Sequence, residues 1–175
     1  WLKGETDKLG ASPDGNEMLY ANNIYSQNPY WAAYQFENNN QRDRVIGSAL
    51  LRYDITDWLY AHGRIGMDWY NDKRRNVEPY GTGYKALGGI GESTRTYRET
   101  NMEWMLGADE TFNEFRVNAF VGGNWMRRDI ERQSLDGSNL NIPFFNQLPN
   151  AGQTSIGYDI TQWGINSLFA SAEFS

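Results

Sequence analysis

Residues 44–72 read RVIGSALLRYDITDWLYAHGRIGMDWYND, and this stretch decides the fold. In its first half Val45, Gly47, Ala49, Leu51, Tyr53 and Ile55 alternate with Arg44, Ile46, Ser48, Leu50, Arg52 and Asp54. A tight turn at Ile55-Thr56-Asp57-Trp58 follows. The second half then sets Leu59, Ala61, Gly63, Ile65, Met67 and Trp69 against Tyr60, His62, Arg64, Gly66, Asp68 and Tyr70. Side chains of a strand point to opposite faces in turn, so the pattern predicts a β-hairpin with one smooth apolar face and one ionic face. Length decides what the apolar face meets. From Leu59 to Trp69 the chain covers roughly 33 Å at about 3.3 Å per residue. Tilted by about 45°, that projects to roughly 23 Å, close to the ~25 Å apolar band of an outer-membrane barrel. Strands of soluble proteins usually stop at about 5–6 residues.

The same spacing returns further along. Thr100, Met102, Trp104, Leu106 and Ala108 alternate with Glu99, Asn101, Glu103, Gly107 and Asp109, Met105 being the exception. After a short turn at Thr111-Phe112-Asn113-Glu114, the side chains Phe115, Val117, Ala119, Val121, Gly123 and Trp125 oppose Arg116, Asn118, Phe120, Gly122, Asn124 and Arg128. A fifth strand is expected from Tyr158 or Ile165 to the end, with Leu168, Ala170, Ala172 and Phe174 on one face. Trp69, Trp104, Phe115 and Trp125 are the expected girdle where lipid meets water. Arg52, His62, Arg64, Asp68, Glu103 and Arg116 are expected to face the barrel lumen. The expected fold class is all-β, an antiparallel up-and-down meander read as a segment of a large transmembrane barrel, with a long hairpin in a soluble sandwich or β-helix as the other reading this pattern leaves open.

The connections alternate in length. Residues 1–43 read as a loop region, with turn chemistry at Ser12-Pro13-Asp14-Gly15 and a turn or two of helix between Glu17 and Tyr25. Residues 71–95 and 129–155 read as long connections, the second holding an expected turn at Asp136-Gly137-Ser138-Asn139. Barrels keep short turns on the periplasmic side and long loops outside, so Asp57 and Asn113 are expected at the periplasmic rim. The opening residues from Trp1 carry no signal peptide, and the chain ends in mid-alternation; it reads as an internal piece of a longer polypeptide.

Composition removes several functions. No cysteine is present, which excludes a disulfide framework and thiolate chemistry, and one histidine leaves little for a metal site. A formal charge of −6 argues against nucleic acid, whose phosphates need clustered Lys and Arg. The mean hydropathy of −0.72 is compatible with a barrel, because alternation hides its apolar residues and its loops are polar. The glycines of Gly88-Gly89-Ile90-Gly91 are not a nucleotide loop, since no Lys-Ser/Thr follows them. Lys73-Arg74-Arg75 beside Asp72 read as a solvated surface that could also meet lipopolysaccharide phosphates.

Catalysis finds no footing: His62 lies near Arg64 and Asp68, but the spacing picks out no nucleophile. No catalytic residue, metal or cofactor is expected, and Asp68, Asn71 and Asp72 lack the spacing of a calcium loop. Lumen carboxylates Asp54, Glu99 and Asp109, with Asp68 and Glu103, face Arg52, Arg64 and Arg116, a pattern that suits cross-strand ladders. The loop aromatics Tyr30, Trp31, Tyr34, Tyr80 and Tyr84 are the candidate substrate contacts, because ring faces bury large area at small entropic cost. The competing reading, favoured for the group around Trp31 and Phe36, is that these rings pack the loop against itself.

Several blocks carry a family resemblance: Asn28-Pro29-Tyr30-Trp31, Arg42-Asp43-Arg44-Val45-Ile46-Gly47, Tyr53-Asp54-Ile55-Thr56-Asp57-Trp58-Leu59 and Gly63-Arg64-Ile65-Gly66-Met67-Asp68. Leu140-Asn141-Ile142-Pro143-Phe144-Phe145 and Ile165-Asn166-Ser167-Leu168-Phe169-Ala170 join them. Across most of residues 28–175 the chain resembles the SusC/RagA family of TonB-dependent outer-membrane transporters. The resemblance implies a whole protein with a barrel of about 22 strands and a plug that lies outside this chain. It further implies energy from the TonB complex, a SusD-like surface lipoprotein as partner, and an oligosaccharide or oligopeptide as cargo. The alternative is a soluble, secreted β-sheet module binding glycan through Trp31, Tyr34 and Tyr84. Five strands with an apolar face and two open edges argue against it, because such a sheet aggregates in water.

Overall fold

The computed structural model describes residues 2–4, 7–19, 21 and 23–175. Trp1, Glu5, Thr6, Tyr20 and Asn22, all within the opening loop expected from the sequence, lie outside the described residues. Five strands form one open antiparallel sheet: β1 (Glu37–Asp54), β2 (Leu59–Glu78), β3 (Gly89–Phe112), β4 (Phe115–Leu140) and β5 (Ala151–Phe174). Their spatial order equals their chain order, so the sheet is an up-and-down meander with β1 and β5 as edges. A short helix, α1 (Pro29–Tyr34), precedes it.

The two tight turns lie where alternation pauses. Between β1 and β2 the backbone N–H groups of Ile55 and Thr56 both donate to the Leu59 carbonyl, at 2.8 and 3.1 Å. The Thr56 hydroxyl accepts from the Leu59 N–H at 3.0 Å. Between β3 and β4 only residues 113–114 intervene, and Asn113 takes φ 54°. Asn tolerates that left-handed conformation better than a branched residue would.

The other two connections are shorter than their composition suggested. β2 runs through the hydrophilic run to Glu78 and β3 begins at Gly89, so the expected loop 71–95 shrinks to 79–88. Likewise β4 continues to Leu140 and β5 begins at Ala151, reducing 129–155 to 141–150. β1 also starts earlier than expected, at Glu37. Polar strand ends are held by cross-strand pairs in place of apolar alternation, for example Arg75 with Glu92 and Arg132 with Asp159. The expected turn at Asp136-Gly137-Ser138-Asn139 lies inside β4. There Gly137 makes room for neighbours, since a Cβ on it would come within 2.8 Å of the Ala151 methyl.

The helix expected between Glu17 and Tyr25 is absent among its described residues. Helix forms instead at Pro29, where Asn28 supplies an N-cap and Pro occupies the first turn. Asn accepts the first free N–H groups and Pro has no N–H to waste there, so this start is chemically defined.

Contacts divide the chain into two compact units. The first comprises Trp1–Arg42, Asp72–Arg95 and Arg132–Asp159. Val77, Ile90 and Leu140 form its small buried core, with Tyr80, Leu148 and Ala151 packed around them. The second comprises Asp43–Asn71, Thr96–Glu131 and Ile160–Ser175. No hydrophobic side chain of the second unit is buried among the described residues.

Candidate functional site

The second unit is a wall with two different faces, fixed by side-chain contacts at some strand positions and by alternation at the others. On the polar face Arg44 of β1 grips Asp68 of β2 in a fork, Nε to Oδ1 at 3.0 Å and Nη2 to Oδ2 at 2.8 Å. Arg116 of β4 forks Asp109 of β3 in the same way, at 2.9 and 2.6 Å. Paired, parallel N–H donors match a carboxylate's geometry, which is why arginine recurs here. Glu99 accepts both from Arg128, at 2.8 and 2.6 Å, and from the Tyr97 hydroxyl at 2.6 Å. Tyr97 stacks on Tyr70 at 4.8 Å and 9°. Arg128 in turn lies over the Trp163 ring at 4.4 Å. A continuous rung of ring and guanidinium planes therefore crosses β2, β3, β4 and β5.

Of the expected lumen-facing residues, Asp68 and Arg116 stand in these ladders. Arg52 pairs with Asp54 at 3.0 Å and covers the Tyr60 ring at 4.1 Å. Arg64 and Glu103 belong to the same face by alternation but form no ion pair among the described residues. His62 is half-buried, its Nε2 enclosed without a hydrogen-bond partner. No group of His, Asp and Glu able to hold a metal occurs among the described residues.

The opposite face is apolar and uncovered within this chain. Leu51 is 74 % exposed, and Ile65 and Val121 are each 44 % exposed, values foreign to a dry protein core. Of the expected girdle, Trp104, Phe115 and Trp125 are exposed and Trp69 is half-buried. Trp104 lies across Gly123, where a Cβ would meet its Nε1 at 2.7 Å. Trp69 lines a cavity of about 210 Å³ with Arg98, Asp129 and Gln162. There Asp129 joins the two arginines Arg98 and Arg127 and accepts from Gln162. The apolar side thus carries a charged cluster beside one of its tryptophans, while its middle carries none.

In the first unit the candidate substrate aromatics separate into two groups. Trp31 is fully buried, and its indole N–H donates to the Thr82 hydroxyl at 3.1 Å. It therefore offers no face to a ligand, and the packing reading holds for it. Tyr80 meets Phe144 edge-on at 6.0 Å. Tyr30 and Tyr34 are exposed and stack on each other at 6.5 Å. Tyr84 is partly exposed and donates to Glu78 at 2.8 Å. Burial first, and the Glu78 carboxylate second, push its phenol up to about 12.

Sequence reasoning missed the residues that hold this module together. Asn28 is buried; its amide donates to the carbonyls of Leu2 and Met18, both at 2.9 Å, while its Oδ1 caps α1. Glu17 accepts from the Asn28 N–H and from the Gly83 N–H, each at 2.7 Å, tying two distant segments. Gly10 has φ 78°, and a Cβ there would overlap the Trp31 backbone at 2.3 Å. Lys8 reaches over the rings of Trp31 and Phe144 and donates to the Gly15 carbonyl. Burial lowers its amine to about 8. Asn28-Pro29 was the one visible signal, as an N-cap followed by a first-turn proline.

The sequence matches no protein-family model and no curated protein. Solved structures do match in fold. The RagAB peptide transporter aligns with a TM-score of 0.78 at 12 % identity, over 93 % of this chain and 20 % of that one. The RagAB peptide importer in its 'open-open' state gives a TM-score of 0.78 at 12 % identity, over 94 % and 20 %. Its 'closed-closed' state gives 0.77 at 11 %, over 85 % and 17 %. The chain thus spans about a fifth of the length of those transporter chains. It has the fold of a segment of a RagAB transporter chain, the all-β architecture that the alternation and the SusC/RagA resemblance implied.

Proposed function

We propose that this chain is a wall segment of a SusC/RagA-type, TonB-dependent transporter in the outer membrane of a Gram-negative bacterium. The observation that carries the reading is the second unit: no hydrophobic side chain of its described residues is buried, and Val45, Leu51, Ile65, Met67, Trp104 and Val121 share the face opposite the ionic ladders. Water does not tolerate an apolar surface of that extent, whereas acyl chains do. Residues 1–175 form one part of the barrel domain, with the turns at 55–58 and 113–114 periplasmic. The connections 79–88 and 141–150, together with the first 36 residues, face outward. A surface lipoprotein caps that side, the TonB complex acts through a segment outside this chain, and the cargo is an oligopeptide or an oligosaccharide. Likeness to peptide-transporter chains supports the peptide.

The soluble glycan-module reading gains nothing from the structure, since Trp31 is buried and both sheet edges are open. Residues 1–175 produced without detergent are expected to sediment as aggregate, because the apolar face and both sheet edges are left unpartnered. A monomer in plain buffer with a sharp thermal transition would contradict the proposal.

A further inference from the structure

On the first unit, a cavity of about 910 Å³ is lined by residues from all five strands. Its volume lies near the upper end of the range of small-ligand sites. Four of its polar side chains are Asn38 of β1, Asn76 of β2, Asp136 of β4 and Ser155 of β5. All four residues are exposed, and none of these side chains has a hydrogen bond or ion pair among the described residues. Charges elsewhere on these strands are matched, Arg42 and Arg74 on Asp72, and Arg132 on Asp159. Of the four charged residues lining the cavity, Lys85 pairs with Glu78 and Glu37 with Arg75. Asp136 is the remaining one, so the cavity carries one negative charge that nothing in it offsets. On β3 the lining is backbone: a Cβ on Gly91 would fall 3.1 Å from Asp136 Oδ1. The carboxylate thus lies over a gap between β2 and β4.

We infer that this cavity is a cargo subsite for a basic side chain of a peptide, whose ammonium or guanidinium meets Asp136 while its backbone lies on Asn38 and Asn76. An Asn amide offers one acceptor and two donors, the complement of a peptide's own N–H and C=O. β2 and β4 stand two strand spacings apart, about 9–10 Å, a distance that an extended lysine or arginine side chain crosses over Gly91. A charge-assisted bond to the carboxylate is roughly twice as strong as one from a neutral hydroxyl. A sugar would meet the amides but leave Asp136 without a counter-charge, and an acidic peptide would meet a like charge. The subsite rests on the transporter reading proposed above.

The test is calorimetric titration of the complete transporter in detergent micelles with three pentapeptides, blocked at both ends, whose central residue among glycines is Lys, Gln or Glu, and with maltotriose. The Lys peptide is expected to bind about tenfold or more tightly than the Gln peptide and maltotriose, and the Glu peptide most weakly. Asp136→Asn should bring the Lys peptide down to the Gln peptide and leave the latter unchanged. Ser155→Trp, at an exposed strand position that keeps Asp136 in place, should fill the cavity and weaken Lys and Gln peptides alike. Equal affinity for Lys and Gln peptides, a Lys preference that survives Asp136→Asn, or tighter binding of maltotriose would overturn the subsite. So would a failure of every peptide to bind while the heat-modifiable gel migration of a closed barrel persists, since the cavity is then filled within the protein. Loss of that migration in the unsubstituted protein would overturn the transporter reading with it.

Discussion

Val121→Arg is expected to block assembly of the protein in the outer membrane, whereas Asn118→Arg, three residues away on the same strand, is not. Val121 lies on the apolar face of β4, between Phe115 and Trp125, and is exposed in this chain. A guanidinium near the bilayer midplane costs about 2–4 kcal/mol on the lipid face of a barrel. Asn118 lies on the other face, that of Arg116 and Arg128, where an added cation meets water and carboxylates. Urea titration of each variant folded into short-chain phosphatidylcholine vesicles reads the difference. The pair isolates face from strand, because the introduced residue and the element are the same in both. Equal destabilisation of the two variants would show that the faces do not differ in solvent.

Trp31→Ala carries the second largest expected effect, confined to the first unit. Removing a fully buried tryptophan costs about 3–5 kcal/mol, part transfer energy and part cavity. Here the indole also donates to Thr82, whose hydroxyl donates to the Pro79 carbonyl at 2.8 Å. The 79–88 connection and α1 therefore lose their shared anchor together. Hydrogen exchange resolved by peptide should rise in residues 7–19 and 79–88 and stay unchanged in the second unit. Trp31→Phe keeps most of the volume and loses the N–H, so it should show an intermediate rise. Exchange unaltered in Trp31→Ala would mean that the opening segment is not held through this ring.

What the sequence disclosed follows from where the physics is periodic. Gly47 to Tyr53 and Leu59 to Trp69 alternate because successive side chains of a strand point to opposite faces, and alternation is readable without coordinates. The turns at 55–58 and 113–114 were visible for the same reason, as pauses between two alternating runs. Strand continued past Trp69 and Arg128 without an apolar period, held by pairs such as Arg75 with Glu92 and by backbone hydrogen bonds, and this extension was invisible. Gly89, Gly91 and Gly137 looked like breakers but serve as gaps within strands. Each would place a Cβ within 3.1 Å of a neighbour, such as Lys85, Asp136 or Ala151. Trp31 was legible only as a choice between two readings, packing being the favoured one: a ring beside Pro and Tyr looks the same in sequence whether it stacks a ligand or fills a core. Only its 0 % exposure distinguishes the two.

The claim on which the rest depends is that odd and even positions of one strand meet different media. The chain has no native cysteine, so single-cysteine spin labels can be placed without background in this segment. Labels at positions 64, 65, 118 and 121 of the membrane-embedded protein should be compared by electron paramagnetic resonance with oxygen and with a water-soluble nickel chelate. Positions 65 and 121 are predicted to relax faster with oxygen and to be shielded from the chelate, and positions 64 and 118 to show the reverse. Chelate access at 65 and 121 equal to that at 64 and 118 would contradict the account.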